Sequence, residues 1–151
     1  MTLRYLKTAP LKTKVRHPAQ SNPRIGTWKF DVAKSKAPLR KSEMRTYESS
    51  GDSITMHAEV TNSDGSKQVY GYTGKLDGKD YPYTGQTPGG AETFSTTRSG
   101  MNFVTQDKKD GKVLFTITTA FSADGKVMTR RTKGTDANGQ PIDAVRVYDR
   151  Q

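Results

Sequence analysis

From Gly26 onward the chain alternates apolar and polar residues in short runs, each ended by a turn-forming cluster. In "SITMHAEV", Ile54, Met56, Ala58 and Val60 alternate with Thr55, His57 and Glu59, the period of two that marks a half-buried strand. "KVLFTITTAF" sets Val113, Phe115, Ile117, Thr119 and Phe121 on one face, against Leu114, Thr116, Thr118 and Ala120 on the other. Turn clusters fall at "SSGD", "SDGS", "LDGK", "PGGA", "RSG", "KDGK", "ADGK" and "ANGQ", ten to fourteen residues apart. Asp-Gly and Asn-Gly supply the positive φ angles of tight hairpins, and this spacing is that of consecutive antiparallel strands. The segments between them give about ten strands: "GTWKF", "EMRTYE", "SITMHAEVT", "KQVYGYTG", "DYPYTG", "TFSTTR", "MNFVTQ", "KVLFTITTAF", "KVMTRRTKG" and "IDAVRVYD". "DVAKSKAPLRKS" (31–42) is the one gap long enough for a helix, and Pro38 limits it to a turn or two.

A long meander of hairpins exposes its edges unless it closes on itself. The pattern therefore predicts an all-β fold: a single antiparallel up-and-down β-barrel, with the last strand paired to the first. Residues 1–24 contain Pro10, Pro18 and Pro23 and no sustained periodicity, which predicts a basic, largely disordered arm ahead of a barrel domain spanning 25–151.

Charge sharpens this division. The net charge of +10 comes entirely from residues 1–45, where twelve Lys and Arg face only Asp31 and Glu43. The remainder of the chain is balanced. Such a segment attracts phosphates and anionic surfaces, so weak nonspecific contact with an anionic surface or nucleic acid through residues 1–45 is one expectation; a solvated tail is the other. No apolar run approaches the ~18 residues of a membrane span. The N-terminus carries no apolar secretory core, which implies a cytoplasmic protein as the chain is written and an exported one if a leader has been removed. The absence of cysteine excludes disulfides, thiol catalysis and thiolate metal sites.

"GTWKF" (26–30) and "RVYD" (146–149) together resemble the calycins, that is, the lipocalins and intracellular fatty-acid-binding proteins. In lipocalins a Gly-x-Trp on the first strand packs under an arginine from the end of the barrel, and Gly26, Trp28 and Arg146 match that pattern. In fatty-acid-binding proteins a terminal Arg-x-Tyr points inward and holds a ligand carboxylate, which would give that role to Arg146 and Tyr148. The first connection departs from that family: twelve residues do not hold a two-helix lid, so an open or loop-covered mouth is expected. "GTWKFDVAKSK", "DGKDYPYTG", "KGTDANGQP" and "VYDRQ" are also similar to small bacterial lipocalin-like proteins.

Arg146 thus has two readings. It is either a ligand anchor, with Tyr148 as a second donor, or a cation stacked on Trp28 that closes the barrel end. Tyr70 and Tyr72 share a strand face, as do Tyr81 and Tyr83; with Phe115 and Ile117 they are candidates to line a pocket or to fill an ordinary core. Arg98, Arg130 and Arg131 are further possible anion partners, and only one of the last two can face inward. His57 with Glu59 at i+2 is a possible base–carboxylate pair but fits a surface pair better. No catalytic residue, metal site or cofactor is assigned. The sequence points to binding of a small, mainly hydrophobic ligand inside the barrel, an acidic one where Arg146 is its anchor. The alternatives are an isomerase- or cyclase-type barrel enzyme, which Glu59, His57 or Glu92 beside the tyrosines would favour, and an interaction module acting through the arm.

Overall fold

The hairpin rule is clearest at "KDGK". Asp110 and Gly111 both take positive φ, 52° and 74°, as a two-residue type I′ turn requires, and Lys109 pairs directly with Lys112. The structure, a computed structural model, describes residues 21–151; the expected disorder of the arm falls on residues 1–20, outside the described part.

Among the described residues eleven strands are formed: β1 (Gly26–Phe30), β2 (Arg40–Ser50), β3 (Ser53–Asn62), β4 (Lys67–Gly74), β5 (Tyr81–Pro82), β6 (Thr84–Gly85), β7 (Thr93–Ser99), β8 (Asn102–Lys109), β9 (Lys112–Phe121), β10 (Val127–Thr135) and β11 (Pro141–Arg150). They make one antiparallel sheet in the order β5-β7-β8-β9-β10-β11-β1-β2-β3-β4-β6. The last strand pairs with the first as expected, Tyr148 opposite Phe30 and Arg150 opposite Trp28.

The two outermost strands, β5 and β6, are separated by Tyr83 alone. The first half of "YPYTG" pairs with β7 and the second half with β4, so covalent chain closes the ring where ladder hydrogen bonds run out. This is why one expected strand appears as two: the segment changes partner at Tyr83, whose N–H goes to the Glu92 carbonyl.

The 31–39 connection holds only a 3-10 turn, Val32–Lys34, whose first N–H groups are accepted by the Asp31 side chain. Paired backbone hydrogen bonds between Lys36 and Val145 tie it to β11. This connection builds no lid, and its Ala37, Pro38 and Leu39 arch beside the barrel mouth.

The opposite end is packed solid. Trp28, Phe103 and Met128 are buried there, with Trp28 against Phe121 and Phe121 against Phe103. Arg24, placed in the arm by sequence, belongs to this plug. It is buried, stacks on Phe103 at 4.3 Å, and its carbonyl accepts the Trp28 indole N–H at 2.8 Å. Val113 does not join Phe115 on the inner face; a bulge between the two leaves it exposed.

Gly134 marks where β10 crosses closest to β9. Its φ is +150°, and a Cβ there would collide with the Leu114 carbonyl and the Phe115 backbone. Gly134→Ala is expected to cost about 2–3 kcal/mol, read as a lower midpoint in urea unfolding; an unchanged midpoint would mean the strands can separate freely at this crossing.

Candidate functional site

The inner face of β2 is charged. Glu43, Arg45 and Tyr47 alternate inward and are buried, while Met44 points out and is 41% exposed. A bulge between Arg40 and Ser42 shifts the register by one, so Arg40 also turns inward although it stands an odd number of residues from Glu43. The four side chains form one network. Glu43 Oε1 accepts from Arg40 Nη1 at 2.6 Å and from the Tyr148 hydroxyl at 2.7 Å, and Oε2 accepts from Arg45 Nη1 at 2.7 Å. Arg45 also donates through Nε to the Tyr47 hydroxyl at 2.7 Å and through Nη1 to the Tyr70 hydroxyl at 3.0 Å. Burial alone would raise the Glu43 carboxyl; the guanidiniums of Arg45 and Arg40 outweigh it and hold the group down at about 2. Burial and the neighbouring Glu43 charge push the Tyr148 phenol up to about 12, so it remains a donor.

Above this network lies a cavity of about 690 Å³ that opens past Leu39, Ser63 and Pro141. Tyr70, Phe115, Ile117 and Ala144 supply apolar wall, and Arg40, Arg130, Arg146 and Asp107 supply charge. Arg146 donates from Nη1 to Thr132 Oγ1 at 3.2 Å, while its Nε is buried without a partner. Among the described residues neither Arg146 nor Arg130 forms an ion pair. Burial, with Arg40 and Arg130 nearby, draws Arg146 down to about 10, which leaves it cationic at neutral pH. Away from the solvent-facing carboxyls of Asp64, Asp136 and Asp143, which also line the cavity, four guanidiniums, Arg40, Arg45, Arg130 and Arg146, stand against the buried carboxyls of Glu43 and Asp107.

Of the sequence-derived pocket residues, the structure brings Arg146, Tyr70, Phe115 and Ile117 together around the cavity. Tyr148 is not at its surface: the side chain is 0% exposed and its hydroxyl is spent on Glu43. Tyr72 is turned away toward the plug, stacked on Phe94 at 4.1 Å and within 3.5 Å of Arg24. Gly26 and Trp28 do sit at the closed end of the barrel, but the cation over the Trp28 ring is Arg150, at 4.3 Å, and not Arg146. Register explains the correction. Arg146, Tyr148 and Arg150 share one face, and it is Arg150 that stands opposite Trp28. Its guanidinium also closes the end by donating to the carbonyls of Gly125, Ile25 and Pro23.

Arg130 faces inward and Arg131 outward; Arg98 is spent on the carbonyls of Gly100 and Ser21. His57 and Glu59 form an exposed pair at 3.2 Å on the outer wall, and Glu92 is on the surface beside Lys109. No group of three or more His, Cys, Asp or Glu among the described residues is arranged to hold a metal. No helix among them is long and apolar enough to cross a membrane. Sequence reasoning missed Glu43, Arg40, Arg45 and Asp107. The available signal was "SEMRTY", where the polar set keeps the period of two and the lone apolar residue, Met44, breaks it. No family model and no curated protein sequence matches the chain.

Glu43→Gln leaves Arg40 and Arg45 without a counter-charge, and a loss of about 3–5 kcal/mol is expected. Because the folded carboxyl lies near 2 against an ordinary 4.5, its ionisation stabilises the fold above about pH 4.5. That contribution fades as pH falls toward about 2. Urea unfolding followed across this window should show wild-type stability falling more steeply than that of Glu43→Gln. Parallel curves would show that the buried carboxyl is not held below its ordinary range.

Proposed function

We propose that the barrel binds a small, mainly hydrophobic, acidic ligand, with its anionic group on Arg146 and its apolar body against Tyr70, Phe115 and Ile117. The observation that carries this reading is the pair of cavity-facing guanidiniums, Arg130 and Arg146, that lack a carboxylate partner among the described residues. A buried cation without a counter-charge destabilises the empty protein. A ligand carboxylate would supply the missing partner in a site of low dielectric, where a charge-assisted bidentate bond is strongest. The volume falls in the range of small-molecule sites, and among the described residues no lid covers the mouth. The hydroxyl donor in this reading is not Tyr148, which serves Glu43, but Thr132 beside Arg146.

The enzyme alternative loses the groups that would have favoured it, since His57, Glu59 and Glu92 all lie outside the cavity. An electrostatic module would act through residues that lie mostly outside the described part.

Titration calorimetry with dodecanoate tests the reading. Arg146→Met should weaken binding about tenfold or more while leaving the melting temperature unchanged or higher, because it removes an unpaired buried charge. Arg150→Ala should do the reverse, lowering the melting temperature through loss of the cap over Trp28 while dodecanoate binds the folded fraction normally. A lower melting temperature with intact affinity in Arg146→Met would make Arg146 structural and end the anchor role.

A further inference from the structure

Asp107 is the one carboxyl on the cavity wall that neither network nor surface claims. It lies on the inner face of β8, 8% exposed, and its Oδ1 accepts the Tyr83 hydroxyl at 2.6 Å. Among the described residues that is its only side-chain hydrogen bond, so Oδ2 has no partner and no lysine or arginine stands at ion-pair distance. Tyr83 cannot follow a mobile partner: it is wedged edge-on between Tyr70 and Tyr72, each 5.9 Å away, with Phe94 at 4.9 Å. It also sits at the closure point of the sheet. Burial raises the Asp107 carboxyl, and the Tyr83 hydroxyl and Arg130 only partly oppose this.

The unpaired carboxyl and the unpaired guanidiniums share one cavity yet do not meet. Register gives their separation along the sheet. Asp107 pairs with Phe115, Phe115 with Gly134, and Gly134 with Ile142. Arg146, opposite Arg130, lies four residues further along β11, roughly 13 Å of strand at 3.3 Å per residue. Asp107 and Arg146 are therefore offset by four residues along the strands and by three strand positions around the wall.

We infer that Asp107, held by Tyr83, is a second polar subsite, and that the ligand is an acid whose chain also carries a hydroxyl at a distance from its carboxylate. This deepens the acid-binding reading and rests on it. A plain hydrocarbon chain laid past Asp107 would strip water from the carboxyl and return no hydrogen bond, a loss that makes polar subsites discriminate strongly. A hydroxyl answers Oδ2. An ammonium group would also answer it, but would bring a further cation into a cavity whose wall already carries Arg40, Arg130 and Arg146.

Titration calorimetry compares dodecanoate with the same acid hydroxylated at its far end, on wild type, Asp107→Leu and Asp107→Asn. Wild type should prefer the hydroxy acid by about tenfold or more. Asp107→Leu should reverse the preference in the folded protein, at some cost in melting temperature because the Tyr83 hydroxyl loses its acceptor. Asp107→Asn keeps the shape and the bond to Tyr83, and should narrow the preference even if the leucine variant does not fold. Equal affinity of wild type for the two acids, or a preference that survives both substitutions, would overturn the subsite while leaving the acid-binding reading in place. Failure of both acids to bind wild type would remove the acid-binding reading and the subsite with it.

Discussion

One buried carboxylate organises the interior. Glu43 collects Arg40, Arg45 and Tyr148 from two strands, β2 and β11, and through Arg45 it reaches Tyr47 and the β4 residue Tyr70. Each of those groups is expensive to bury alone, and each is tolerable only in the arrangement that satisfies the others. A one-residue slip of β2 would turn Glu43 and Arg45 to solvent and Met44 inward, stranding the Tyr148 and Tyr70 hydroxyls. Register here is thus fixed by polar pairing as much as by apolar burial. The Arg40 bulge is part of the same solution, since without it the second guanidinium would point out of the barrel.

The network also divides the barrel in two. On one side aromatic rings, Arg24 and Arg150 seal the end; on the other the interior is left open. The sealing cations satisfy themselves with backbone carbonyls and ring faces, which leaves no charge seeking a partner there. The open side is different. Glu43 neutralises only one of its two neighbouring guanidiniums, and the surplus positive charge is passed on to a space lined by Arg130 and Arg146. The position of the cavity and the cluster of guanidiniums on its wall have a common origin.

Much of the fold was legible because hairpin chemistry is local. Asp110-Gly111 specifies its own turn whatever surrounds it, and repeated turns of this kind set the strands and their antiparallel order. The inner and outer faces were harder to read. Where strands bury Met56, Ala58 and Val60, the apolar set names the core side; on β2 the buried set is Glu43, Arg45 and Tyr47, and period alone carries no sign. Arg146 and Arg150 illustrate a second limit. Alternation places both on the inner face, and only the register against β1, a long-range property, decides which of them covers Trp28. Tyr148 was lost to the site for a related reason, since its partner Glu43 is 105 residues away in sequence.

Asp107 and the Arg130–Arg146 pair raise the question of why the protein leaves both signs of charge unpaired in one enclosure. Were stability the only constraint, bringing a guanidinium to the carboxyl would satisfy both at once, and long arginine side chains have the reach to move several ångströms. The structure instead ties each end in place: Asp107 to Tyr83, itself wedged among three rings, and Arg146 to Thr132. Holding opposite charges apart across an apolar-walled space costs folding free energy and gains nothing for an empty barrel. Such strain is retained where an occupant relieves it. The spacing between the two ends then describes the occupant more closely than the cavity volume does, because volume bounds only what can enter, whereas two fixed polar groups state where its own polar groups must lie.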